Sequence, residues 1–193
     1  MLDVLRPGVL DGLAVCCAGG ARAARGRLEA LGARVVALGA DLGDEDAVAA
    51  EVAGLGRIDV LVVDAATPFG GGGMPALRAA VDGSWNAVRA VVNAGWTAEG
   101  AGAGGGGKVI LVAPAPDAGE HATAVGAALE NAARTLSIEW SRFGVRTVAI
   151  VPRAGAGAEE VDELVAFLAS PAGDYFSGCS FAPGGVAGAL HLR

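Results

Sequence analysis

Short apolar runs rich in Val and Ile alternate along this chain with longer Ala/Leu stretches of helical period. That alternation constrains the fold more than any other feature. The runs fall at residues 13–17, 33–38, 58–63, 109–112 and 146–151, with a last extended piece at 179–182. Runs that are apolar at nearly every position belong to strands covered on both faces. Between them the spacing predicts helices over 21–31, 44–55, 74–96, 122–140 and 159–169. Asp44 is placed to cap the second of these, and Gly32 and Gly56 to end the first two. The helix over 74–96 carries the stripe Leu77, Val81, Trp85, Val88, Val92 and Trp96. The helix over 122–140 gathers Val125, Leu129, Ala132, Leu136 and Trp140 on one side. Such alternation of strands and helices implies α/β architecture: a doubly wound parallel sheet of about six strands.

At 193 residues the chain suits one domain, 1–193, with a core that needs neither disulfide nor metal. The net charge of −7 argues against a nucleic-acid surface and against anionic membranes. Lysine occurs once, at Lys108, and tyrosine once, at Tyr175. Cys16, Cys17 and Cys179 match no metal-ligand spacing and are expected to be buried, reduced, structural thiols. Residues 99–107, nearly all Gly and Ala, precede a strand instead of opening a helix, so they read as a linker and not a phosphate cradle. The start of the chain lacks signal-peptide character, and no apolar run is long enough to span a bilayer. A cytoplasmic location is the expectation.

The order of several segments resembles the short-chain dehydrogenase/reductase family over most of the chain. Gly39, Asp41 and Asp44 look like that family's third-strand end, where an Asp contacts adenine. Gly56, Asp59, Leu61, Asp64 and Ala66 look like its fourth strand running into an Asn-Asn-Ala-Gly motif. Residues 107–114 resemble the strand that ends at the catalytic serine. Ala127, Leu129, Arg134, Leu136 and Glu139, then Gly144, Arg146, Val148, Ile150 and Pro152, follow the helix and strand after the catalytic lysine. Phe167, Ser170, Tyr175, Gly178, Gly184 and Gly185 resemble the C-terminal segment. The resemblance implies a Rossmann-like fold, a nicotinamide cofactor and pairing of two long helices with those of a second subunit.

It also implies a tyrosine general acid/base, a lysine four residues on, a serine and a relay asparagine. Tyrosine ionises near pH 10 unaided, so it needs a cation beside it to work at neutral pH. In this sequence the tyrosine position falls at Ala122 and the lysine position at Gly126. The serine position falls at Pro114, or at Ala113 with a one-residue slip, and the asparagine position near Asp82. With one tyrosine and one lysine so far apart, no realignment restores the pair. The glycine turn after the first strand does not fit the family spacing, leaving Gly19, Gly20, Asp41 and Ala65 as remnant cofactor-binding candidates. One strand–helix unit, roughly thirty residues, is missing before Asp41. The Pro-Gly after the sixth family strand has become Pro152 and Arg153, and the chain runs on almost directly to Glu159 without the family's substrate-covering segment.

These departures lead to the expectation of a non-catalytic homologue acting as a structural or regulatory subunit, with no cofactor. It would be a homo-oligomer or pair with an active dehydrogenase paralogue. Trp85, Val88, Trp96, Leu129, Leu136 and Trp140 are the interface candidates. The alternative is an NAD(P)-dependent oxidoreductase with a rearranged site at Asp117, Glu120 and His121, a carboxylate–imidazole set suited to proton transfer. A third reading is a small-ligand binder in the crevice at the strand ends. Arg22 and Arg25 offer charge to a phosphate but also suit an exposed helix face, and His191 reads as a tail residue.

Overall fold

The computed structural model describes residues 5–20, 22–97 and 106–184. Most of the Gly/Ala run after residue 97, and His191, lie outside the described residues. Six parallel strands form one sheet: β1 (Ala14–Ala18), β2 (Arg34–Leu38), β3 (Val60–Asp64), β4 (Lys108–Val112), β5 (Arg146–Ile150) and β6 (Cys179–Phe181). Their order is β2-β1-β3-β4-β5-β6. The usual doubly wound sheet has two strands outside the first one on that side. Here there is one, so the sheet is shorter by a strand–helix unit, as the spacing before Asp41 implied.

Side chains alternate between the two faces of each strand. Cys16 and Ala18 of β1, Leu61 and Val63 of β3, and Val109 and Leu111 of β4 enter one core. Val15 and Cys17, Val60 and Val62, and Ile110 and Val112 enter the other. Because both faces are covered, β1 and β4 are apolar almost throughout. Each fully buried Val or Leu contributes about 1.5–3 kcal/mol.

The helices are α1 (Arg22–Ala30), α2 (Glu45–Gly54), the single turn α3 (Ala66–Phe69), α4 (Gly73–Val91), α5 (Ala122–Glu139) and α6 (Ala158–Ala169). Residues of α1 and α6 cover the Val15–Val62 face, and those of α2, α4 and α5 the other. Asp44 caps α2 as expected: its carboxylate accepts from Asp46 N at 3.1 Å and Ala47 N at 3.0 Å. The helix expected over 74–96 instead ends its α-helical part at Val91 and continues as one π turn, Val92–Trp96. Trp96 is buried in its own core, its Nε1 donating to Ile58 O at 2.8 Å.

The stripe expected on α4 meets the core along most of its length: Val88, Val92 and Trp96 are buried in it, and Leu77 and Val81 pack against it. Ala80, Gly83, Ser84, Ala87, Val88 and Val91 are buried there, while Leu77 and Val81 are only half-buried and Trp85 is 44% exposed. Small residues let α4 approach closely: a Cβ on Gly83 would lie 2.9 Å from Leu42 Cβ. Of the large stripe side chains, Trp85 is the one left exposed.

Lys108, at the start of β4, reaches across to the end of α6. Its Nζ donates to Ala169 O at 2.9 Å, Leu168 O at 3.3 Å and Ser170 O, and pairs with Asp174 Oδ1 at 2.6 Å. The ammonium thus satisfies carbonyls that a helix end leaves without intrahelical partners. Cys16 and Cys17 are buried free thiols, each pushed up to about 12 first by burial. Cys179 departs from the expectation of a buried thiol: it is exposed on β6, at the sheet edge. Among the described residues, no helix is long and apolar enough to cross a membrane, and no group of three or more His, Cys, Asp or Glu is placed to hold a metal ion.

Candidate functional site

In an open α/β sheet, ligands bind outside the carboxyl ends of the strands, where the chain switches direction. Here the chain leaves β1 for the outer strand β2 and then crosses back to β3, so the switch point lies between β1 and β3. A cavity of about 420 Å³ opens beside it, on the α1–α6 face. Val62 and Asp64 of β3 and Val112 of β4 form its floor. Pro152, Ala156 and the first turns of α6, with Val161, Asp162 and Val165, form the opposite wall.

Two carboxylates line this cavity. Asp64 ends β3 and is held in place, its Oδ1 accepting from Ala66 N at 2.9 Å and its Oδ2 from Thr67 Oγ1 at 3.1 Å. Burial raises its carboxyl above the usual range, and those hydrogen bonds pull it back down in part. Asp162 is also raised, first by burial and then by the negative charges of Asp64, Glu163 and Glu159. No Lys or Arg side chain is among the described residues that line the cavity.

The turn after β1 keeps Gly19 and Gly20 for reasons internal to the chain. Gly19 has φ +77°, and a Cβ there would overlap the carbonyl oxygen of Asp64. A Cβ on Gly20 would lie 2.8 Å from Thr67 Oγ1. The segment after β3 therefore packs directly onto this turn. Ala65 is fully buried, and its N–H donates to Val112 O at 2.9 Å. Asp41 is exposed, its Oδ1 accepting from Gly43 N at 2.9 Å within its own turn. Arg25 pairs along its helix with Glu29 at 2.9 Å.

The described lining residues offer a pyrophosphate no compensating charge, and two carboxylates face the space a phosphate would enter. In a largely apolar cavity such like-charge contact is weakly screened.

Asp117, Glu120 and His121 are not brought into the cavity. Asp117 is exposed in a 3-10 turn, and Glu120 is exposed. His121 stands at the start of α5 in a left-handed conformation, φ +72°, with its Nε2 3.6 Å from Glu120 Oε1. Of the positions where the resemblance would put the chemistry, three are closed in and one is open. Pro114 and Ala122 are buried, and a Cβ on Gly126 would lie 3.1 Å from Val151 Cγ1. Asp82 is exposed on α4.

A second concave surface runs between α4 and α5. It is about 270 Å³, lined mainly by Val81, Trp85, Val88, Leu129, Ala132 and Leu136, with Asp82 at its margin. Val88, Leu129 and Leu136 are largely covered by their own subunit. Of the six interface candidates, Trp85 and Trp140 offer exposed ring area, and Trp96 does not belong to this surface.

That Asp64 and Asp162 line one cavity was not legible in the sequence, which marks Asp64 only as part of an altered motif and gives Asp162 no role. The available signal was positional: a carboxylate at a strand's carboxyl end faces the crevice of such a sheet.

No protein-family model matches the sequence, and no curated protein matches it. Solved structures do. A citronellol catabolism dehydrogenase from Pseudomonas aeruginosa is similar at 23% identity with a TM-score of 0.75, covering 95% of this chain and 98% of that one. A short chain dehydrogenase from Mycobacterium smegmatis is similar at 21% and 0.73, covering 96% and 97%. A hydroxysteroid dehydrogenase from Escherichia coli is similar at 18% and 0.70, covering 92% and 97%. The chain has the Rossmann-like fold that these dehydrogenase structures share.

Proposed function

We propose that this protein is a non-catalytic relative of the short-chain dehydrogenase/reductases that serves as a structural or regulatory subunit, pairing through its α4–α5 face with a second copy or with a complete dehydrogenase. One observation carries the reading. The positions for the tyrosine and lysine of such enzymes are held by Ala122 and Gly126, one buried and the other crowded by Val151. The tyrosine and lysine the chain does possess lie elsewhere and apart from each other. Tyr175 is 92% exposed beyond α6, and Lys108 is bound to the carbonyls at the end of that helix. A tyrosine without a neighbouring cation cannot act as a base at neutral pH.

The assembly half of the proposal is supported by the exposed ring of Trp85 on α4. Trp85 and Trp140 stack across the two helices, and Trp85 is 44% exposed. Aromatic side chains in an apolar setting are the usual anchors of subunit interfaces.

Light scattering of the purified protein, with affinity capture from its native host, tests the reading. The expected result is a dimer or larger species, or a co-purifying dehydrogenase, with no NAD(P)H turnover by this chain alone. A strict monomer that captures no dehydrogenase, or a chain that turns over NAD(P)H, overturns it.

A further inference from the structure

We propose that the cavity between β3, β4 and α6 is a binding site for a protonated amine with a compact apolar body, its ammonium group received by Asp64 and Asp162. The inference is independent of assembly through the α4–α5 face.

The cavity is the first observation. At about 420 Å³ it falls within the range of small-molecule sites, and its walls of Val62, Val112, Pro152, Val161 and Val165 are apolar. The charge placement is the second. Asp64 sits on the strand side and Asp162 on the helix side of the same cavity, and no described lining residue opposes their charge. Nearby Glu163 is taken by Arg27, at 2.6 Å, so that acidic neighbour is already paired. Asp64 accepts from Ala66 N and Thr67 Oγ1, and from the Thr67 backbone N–H as well; three donors against about four acceptor sites on a carboxylate leave room for one more.

The physical consequence is selectivity by charge. A cation entering this space relieves the repulsion between two half-buried carboxylates and forms charge-assisted hydrogen bonds. An anion adds to the repulsion. A neutral molecule of the same shape gains only apolar contact. A small hard cation such as Mg²⁺ or Ca²⁺ needs a shell of oxygen ligands that apolar walls do not supply. An organic ammonium needs two acceptors and a hydrophobic surround, and those are present.

The test uses 2-phenylethylamine as probe, with 2-phenylethanol as its neutral counterpart, 3-phenylpropionate as its anionic one, and NADH. Each is titrated against the full chain by calorimetry and by thermal shift. The expected order is amine first by about tenfold or more over the alcohol, with the anion and NADH weakest. Asp162→Asn should weaken the amine by about tenfold and leave the alcohol unchanged. Asp64→Asn should do the same if it folds. If it does not, Asp162→Asn decides the matter, since Asp162 makes no hydrogen bond on which a described element depends. Equal binding of amine and alcohol, preference for NADH or the anion, or no binding of the amine up to about 10 mM would overturn the proposal. None of these outcomes bears on the oligomeric state.

Discussion

The indole rings of Trp85 and Trp140 stack with centroids 6.4 Å apart and planes 14° from parallel, tying the outward side of α4 to the end of α5. An offset pair of this kind is worth about 0.5–1.5 kcal/mol beyond the area it covers. Trp85 is 44% exposed, so much of its surface is available to a partner. Trp85→Ala should convert the assembled species to monomer while reducing the monomer's own stability by only about 1 kcal/mol. Light scattering and urea denaturation on the same preparation separate the two effects. Unchanged association would remove this face from the assembly.

Reinstating the missing residues should fail. Ala122→Tyr with Gly126→Lys places large side chains where one position is buried and the other is crowded by Val151. Overpacking of this kind costs about 1–3 kcal/mol at each site. The double variant is expected to melt lower than the parent and to show no NAD(P)H oxidation. A stable variant that gained activity would mean the site is still open.

Lys108 should be a large single contributor to the α6 end of the domain. Lys108→Met leaves the carbonyls of Leu168, Ala169 and Ser170 without this donor, at a cost of about 2–3 kcal/mol. Asp174→Asn should cost less than about 1 kcal/mol, because Asp174 is 45% exposed and its ion pair is screened. Urea midpoints of the two variants give the comparison. Equal losses would show that the ion pair, and not the carbonyl contacts, carries the effect.

Thiol reactivity should divide two to one. Cys16 and Cys17, pushed up to about 12, are protonated at neutral pH as well as buried, whereas Cys179 is exposed. The thiolate is the reacting form. A disulfide reagent should therefore label one thiol per chain quickly in the native state and all three after denaturation. Rapid labelling of a second native thiol would mean that β1 is accessible.

The pH dependence of Asp162 has a definite sign. Its carboxyl titrates higher in the folded chain than in the unfolded chain, chiefly through burial and then through the charge of Asp64. Between the two values the folded state holds more protons, so stability falls as pH rises through that window and stays lower above it. Asp162→Asn removes the penalty. The variant should melt above the parent at pH 7, with the gap closing as pH falls below the ordinary carboxylate range. A constant gap across the titration would point to packing instead of charge.

The strands were legible because the code for them is local. A run such as 13–17 can only be a strand covered on both faces, and β1 is buried throughout. The Asp44 cap was legible for the same reason, since a cap acts over two or three residues. The shortened sheet followed from counting one strand between the first turn and Asp41. The exposure of Trp85 within the α4 stripe was not legible: large apolar side chains at helical spacing announce a face, but not which of them the neighbours leave uncovered. Only packing decided that Ala80, Gly83 and Ala87 turn inward and Trp85 outward.

The same division runs through the site. The lack of a Tyr-x-x-x-Lys pair is a property of the sequence alone, since one tyrosine and one lysine cannot form it at any register. That Asp64 and Asp162 share one cavity belongs to the tertiary structure. The two residues are far apart in the chain, and they face one cavity because the first turns of α6 stand opposite the carboxyl end of β3. Local sequence sets which residues form each strand and helix. The charge each residue feels depends on what the fold places opposite it.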